Sequence, residues 1–138
     1  MRIRNCSGCI VFRRNEQKEI EYLLIKAVKP GAQWNFPKGG VEPNMSSRAS
    51  AAKEVREEAG VLCTPRERLG DYRFVKQDEV QNVEMFVASY ETDASVWEEE
   101  HLRKRKWLSL DEALKRLDRY MQAFLMETHF NVSRGYYD

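Results

Sequence analysis

Three glutamates packed into one short stretch constrain this chain more than any other feature. Residues 39–61 read GGVEPNMSSRASAAKEVREEAGV, following the run Trp34-Asn35-Phe36-Pro37-Lys38. A glycine pair opens the stretch, and a helical pattern holding Glu54, Glu57 and Glu58 leads to Gly60. A helix advances about 100° per residue, so the three carboxylates fall within roughly a 100° arc of one face. Like charges crowded in this way repel unless something positive sits among them. Hard divalent cations such as Mg²⁺ or Mn²⁺ favour oxygen ligands of this kind. The residues alone also allow a plain acidic amphipathic helix, its glutamates balanced by Arg48, Lys53 and Arg56.

Local signals agree with a helix here. Ser46 or Ser47 can cap its start, and Gly60 supplies a stop. Ala49, Ala51, Ala52, Val55 and Ala59 give it a small-residue packing surface. Ahead of it, Gly39 and Gly40 let the backbone turn tightly and present carbonyl oxygens to a cation, with Lys38 placed for a phosphate oxygen.

The stretch resembles the signature of the Nudix hydrolases, G-x5-E-x7-R-E-U-x-E-E-x-G-U with U a bulky aliphatic residue. Gly39, Glu54, Val55, Glu57, Glu58, Gly60 and Val61 stand on seven of its nine fixed places. Met45 replaces the first glutamate and Lys53 the arginine. The run Trp-x-Phe-Pro-Lys-Gly-Gly is also what many members show ahead of the signature helix. The resemblance implies an α+β fold, an α/β/α sandwich with a mixed sheet between helices, and cleavage of a nucleoside diphosphate linked to another group.

Whole-chain properties narrow the rest. A chain of 138 residues is expected to form a single domain spanning residues 1–138. Lys plus Arg total 23 and Asp plus Glu 22, so a net charge of +1 gives nucleic acid no global attraction. No charged-then-apolar leader and no long apolar run stand in the sequence, which predicts a cytoplasmic protein with no membrane partner. Three cysteines, an odd number, argue against a disulfide framework. Cys6 and Cys9 fall in a strand-like run, so they point to opposite faces and cannot share a metal; buried free thiols are expected.

In chain order, the pattern predicts strands over residues 3–12 and 20–26, joined by a polar hairpin connection. Asn5 to Gly8 are small enough for a neighbouring backbone to approach closely. Lys26, Lys29 and Pro30-Gly31 read as a cationic turn facing water. A short strand is expected over 33–37, with Trp34 and Phe36 on one face, then strands over 67–75 and 80–90. Alternation over 103–108 puts Arg103, Arg105 and Trp107 on one face and Lys104, Lys106 and Leu108 on the other. Ser109 and Glu112 form a capping box that opens one helix to about Glu127, and the tail from Thr128 receives no structure.

By resemblance, Glu54 and Glu58 are metal ligands with a backbone carbonyl at Gly39 or Lys38, and Glu57 is the favoured acid/base. Glu54 is carried as a second catalytic candidate and Glu57 as a further ligand. One glutamate of Glu98-Glu99-Glu100 is a second candidate ligand or base, with Glu100 named for the metal. Lys38, Gly39, Gly40, Arg103 and Lys76 are candidate substrate contacts, and Arg105 is weighed evenly against surface charge. The flank from Trp97 to Ala113 looks like the diadenosine and diphosphoinositol polyphosphate phosphohydrolase branch. That implies a small phosphorylated substrate and Mg²⁺ or Mn²⁺. An RNA 5′ end is a competing substrate, and a non-catalytic phosphate-binding module is the reading from another class. Lys53 keeps a positive charge but loses the planar fork that grips a carboxylate bidentately.

Overall fold

A computed structural model describes residues 1–138. Its spine is β1 (Arg2–Arg14), whose neighbours are β5 (Glu79–Asp93) on one side and β2 (Ile20–Ala27) and β3 (Lys38–Gly40) on the other. β4 (Val61–Lys76) lies outside β5, and β6 (Arg103–Leu108) lies outside β2. The β1–β5 pair is parallel and the other pairs are antiparallel, which makes the sheet mixed, as expected. α1 (Ser47–Ala59) covers one face, while α2 (Leu110–Leu114) and α3 (Arg119–Ser133) cover the other.

Strand alternation builds two cores from the same residues. Cys6, Ile10 and Phe12 of β1 join Tyr22, Leu24, Met85 and Val87 beneath α2 and α3. Cys9 and Val11 join Leu23, Ile25 and Phe86 beneath Ala51, Val55 and Ala59 of α1. Cys6 and Cys9 therefore lie on opposite faces, both buried, and all three cysteines are free. The alanines of α1 bring that helix close to the sheet, and with it the glutamates. No helix is long and apolar enough to cross a membrane.

Several expectations change. Residues 33–37 are not a strand: Asn35 makes only an isolated bridge to Ile25, and the strand is Lys38–Gly40. Trp34 and Phe36 still pack on one core. β4 begins at Val61, six residues before the expected start at Glu67, and passes through Pro65. Register shifts at Leu62/Cys63, Pro65/Glu67 and Arg68/Gly70 accommodate it, which an edge strand tolerates because one side of its backbone needs no partner.

The expected helix over 110–127 is two helices. Asp118 accepts from Met121 N–H at 2.9 Å and starts α3 afresh, while Ala113, Leu117, Met121 and Leu125 all reach the core. Only half of the capping box forms: Ser109 accepts from Glu112 N–H, but the Glu112 side chain is taken by Lys115 and Arg116. The tail is ordered helix through Ser133. Thr128 and Val132 prolong the buried stripe from Leu125, and Tyr137 packs on Phe12 with ring centroids 5.9 Å apart.

Candidate active site

Both ends of α1 are fixed. Ser46, not Ser47, is the cap, accepting from Ala49 N–H at 3.0 Å. Glu42 N–H donates to the buried Ser50 hydroxyl at 2.9 Å, tying the preceding loop to the first turns. At the other end Gly60 is left-handed, with φ 65°, and its N–H donates to Arg56 C=O. Arg105 donates to Ala59 C=O at 2.5 Å and lies over the Trp97 ring, while Trp97 Nε1 donates to Glu58 C=O at 2.8 Å. Arg105 thus closes the helix end, a role that neither of its two readings from the sequence offered.

The glutamates meet β3. Glu58 is only 6% exposed; its carboxylate accepts from Lys38 N–H at 3.3 Å and stands 3.6 Å from Arg103. Arg103 also donates to Glu99 at 2.8 Å. Burial, the largest influence, lifts the Glu58 pKa to about 8, helped by Glu54 and Glu99 and opposed by Arg103. Glu54 is raised too, by burial first and then by the charge of Glu57, and it shares a hydrogen bond with Glu58. Its carboxylate lies so close over Gly39 that a Cβ there would collide with it. Glu57 is turned to Lys53 in an ion pair. Burial pulls the Lys38 ammonium below its usual value.

Around them opens a cleft of about 510 Å³ where β2 and β3 diverge along the same side of β1. Pro37 C=O bridges that divergence, accepting from Cys9 N–H at 3.2 Å. Glu54, Glu58, Gly39 and Gly40 line the cleft together with Arg4, Lys26, Lys29, Lys38, Lys76 and Arg103. Lys38, Gly39, Gly40, Arg103 and Lys76 are therefore gathered as the sequence suggested. Lys26 and Lys29 face the cleft and not simply open water. From the acidic run the structure brings Glu99 to the site through Arg103, whereas Glu100 is exposed and outside the cleft lining. Glu98 and Glu100 are exposed in this turn, and Glu99 is the one that meets Arg103. Arg4 was not singled out by the sequence; the pairing of β1 with β3 lays its guanidinium over Gly40.

Comparison with known proteins decides what this arrangement belongs to. Residues 4–127 match the NUDIX domain model. The chain belongs to the Nudix family. It is 36% identical over 116 residues to Nudix hydrolase 21, chloroplastic, of Arabidopsis thaliana, covering 81% of this chain and 59% of that protein. It is 34% identical over 111 residues to diphosphoinositol polyphosphate phosphohydrolase 2 of Rattus norvegicus, covering 79% of this chain and 60% of the relative. The chain thus spans about three-fifths of the length of these curated relatives. A C. elegans Ap4A hydrolase, solved as a binary complex, shares the fold with a TM-score of 0.80 at 22% identity, over 94% of this chain and 98% of that one.

The Nudix donor set fits Mg²⁺ or Mn²⁺. It is oxygen-only, and Glu54 and Glu58 carry raised pKa values that a cation would relieve. It is not a preformed cage, since no three acidic, His or Cys side chains converge on one point and Glu57 points to Lys53.

One departure from the Nudix signature is repaired in space. Lys53 was expected to lack its loop acid because that place holds Met45. Instead Glu42, three residues earlier, stands 3.3 Å from the Lys53 ammonium, which pairs at once with Glu57. Met45 lines a shallow groove with Ala49, Ala52 and Leu62, which Lys53 and Arg56 also border. Glu42→Gln is expected to lower kcat/KM roughly tenfold, the lower end of what an outer partner of a ligand is worth. Met45→Glu should change little in the natural chain and restore activity in the Glu42→Gln background. Restoration absent in that background would show that the loop acid has no such role.

Proposed function

We propose that this Nudix chain is a Mg²⁺- or Mn²⁺-dependent pyrophosphohydrolase that cleaves a phosphoanhydride bond in a nucleoside- or inositol-linked di- or polyphosphate. The observation that carries this reading is the buried Glu58, beside Glu54, on the wall of a cleft lined by six cationic side chains. Such a cleft attracts a polyanion, and its carboxylates supply what bond cleavage needs once the polyanion is bound. The names of the rat relative and of the C. elegans neighbour, one an inositol and one a dinucleoside polyphosphate hydrolase, support the same substrate chemistry. Glu42 filling the place of the missing loop acid favours catalysis over a binding-only module.

Glu58, with a backbone carbonyl at Lys38 or Gly39 and with Glu57 once it turns from Lys53, would hold the ion, in place of the Glu54–Glu58 pair that the resemblance implied. When bound, it neutralises phosphate charge and lowers the pKa of a water. Glu54 is the better proton acceptor: it faces the cleft with a raised pKa, whereas Glu57 is turned away to Lys53. This reverses the order of preference drawn from the sequence. Arg4, Lys38, Lys76 and Arg103 grip phosphate oxygens, and the two guanidiniums can each take two.

A screen of phosphate release with Mg²⁺ and Mn²⁺ tests the reading across dinucleoside polyphosphates, inositol pyrophosphates, nucleotide sugars and 5′-triphosphorylated RNA. Metal-dependent turnover of the first or second class is the expected result; no turnover of any class overturns it. A cytoplasmic place belongs to this proposal as well. Relatives named chloroplastic and mitochondrial make cell fractionation its check.

A further inference from the structure

Ser7, in the middle of β1, is fully buried, and its hydroxyl oxygen has no hydrogen-bond partner. Leaving a buried hydroxyl unpaired costs the fold free energy, so such groups are rare where nothing calls for them. Alanine would fill nearly the same space without that penalty.

Register shows what lies beside this hydroxyl. Ser7 is opposite Gly39 of β3 on one side and Glu84 of β5 on the other. It shares a face of β1 with Cys9 and Val11, the face that α1 covers. Directly opposed residues of an antiparallel pair hold their Cβ positions about 4.5–5.5 Å apart on one face. Gly39 has no Cβ, and the Glu54 carboxylate takes the space where one would stand. The Ser7 side chain is therefore the neighbour of that carboxylate across one strand spacing. Glu84, on the other side, is already engaged by Arg68 and Ser47. Glu54 shares its hydrogen bond with Glu58, the carboxylate proposed to hold the ion. Once Glu58 serves the ion, Glu54 needs another donor, and Ser7 is the unused one beside it.

Resting on the hydrolase reading, we infer that Ser7 is a positioning residue: its hydroxyl donates to the Glu54 carboxylate and fixes the direction in which that carboxylate faces the cleft. A hydroxyl suits the place. It donates to a carboxylate without adding charge to a cleft that six cations already line, and rotation about one bond selects its acceptor. Ser7 and Gly39 then act as a pair, the glycine leaving room for the carboxylate and the serine reaching it from the side. Thr128 is also fully buried with an unpartnered hydroxyl, but it lies in α3, across the sheet from α1. It carries the same burden with no carboxylate of the site to direct.

Kinetics of phosphate release, Mg²⁺ calorimetry and melting of the metal-free chain test this together. Ser7→Ala is expected to lower kcat roughly tenfold, the lower end for a partner that orients a functional group, with KM and Mg²⁺ affinity unchanged. The same variant should melt no lower than wild type, because it removes an unpaired hydroxyl. In a Glu54→Gln background Ser7→Ala should have no further effect on kcat, since the carboxylate it directs is gone. Thr128→Val should melt no lower than wild type and leave kcat unchanged. Unchanged kcat in Ser7→Ala overturns the inference, as does a loss that recurs in full in the Glu54→Gln background or appears equally in Thr128→Val. A lower melting temperature in Ser7→Ala overturns it too, by marking a hydroxyl already engaged in holding the fold. A wild type that turns over while Ser7→Ala matches it fails this inference alone. A wild type that releases no phosphate fails the hydrolase reading and takes the inference with it.

Discussion

Replacing Glu58 by Gln is expected to lower kcat for phosphoanhydride hydrolysis by roughly 10²–10³-fold and to weaken Mg²⁺ binding sharply in calorimetry. Glu58 is the most enclosed carboxylate of the site, held between Lys38 N–H and Arg103. Gln has nearly the same shape but no charge for a cation. The same change should act oppositely on the metal-free protein. Burial first, with Glu54 and Glu99, outweighs Arg103 and lifts the Glu58 pKa from 4.5 to about 8. A group whose folded pKa lies above its unfolded one adds stability that is complete below the unfolded value. That stability is lost as pH rises through the folded value. Metal-free wild type should therefore lose about 4 kcal/mol between pH ~4.5 and pH ~8, since the pKa rises from 4.5 to about 8 and one pKa unit is worth about 1.4 kcal/mol. Glu58→Gln should flatten that slope, and Mg²⁺ should restore wild-type stability at the alkaline end. Melting curves across this range check it: a wild-type profile no steeper than the Gln variant's refutes the assignment.

Gly39→Ala is expected to cut kcat roughly 10²-fold, the lower range of an acid–base contribution, while the fold and Mg²⁺ binding persist. A Cβ at this position would strike the Glu54 carboxylate, the far end of a flexible side chain that can rotate away. Stability changes little, but the proposed proton acceptor leaves its place. Gly8→Ala is the control with the opposite outcome. Its Cβ would come within 2.5 Å of Pro37 C=O and 2.7 Å of Lys38 Cβ, a backbone group and a side-chain root that cannot step aside. Such overpacking costs about 1–3 kcal/mol and should appear as a lower Tm. If Gly39→Ala lowers Tm as much as Gly8→Ala does, and loses no kcat beyond that, Glu54 is not the acceptor.

Much of this protein was legible before any coordinates. Alternation alone separated Cys6 from Cys9 and placed Trp107 against one core and Leu108 on the other side of β6, because strand side chains alternate whatever the partners. Helical spacing alone set Glu54, Glu57 and Glu58 on one face, and Gly60 ended the helix through its own conformational freedom. Local polarity misled where burial was decided by neighbours. Thr128 reads as the end of an apolar stripe, yet it is buried and α3 continues through it. The strand expected from Glu67 begins at Val61, because an edge strand with shifted register absorbs Pro65.

Roles that depend on which groups meet across the fold belonged to tertiary structure alone. Arg103 and Arg105 are two residues apart on one face of one strand. One reaches Glu58 and Glu99 while the other caps α1, because β6 runs past the end of that helix. Glu100 was the one named from the acidic run, whereas Arg103 pairs with Glu99. Met45 marked a missing acid, and Glu42 supplies one because the loop folds back over Lys53. Spacing along a chain fixes which side chains share a face, since that follows from the geometry of a single element. Which face meets which, and so which charges find a partner, is fixed only when the elements pack.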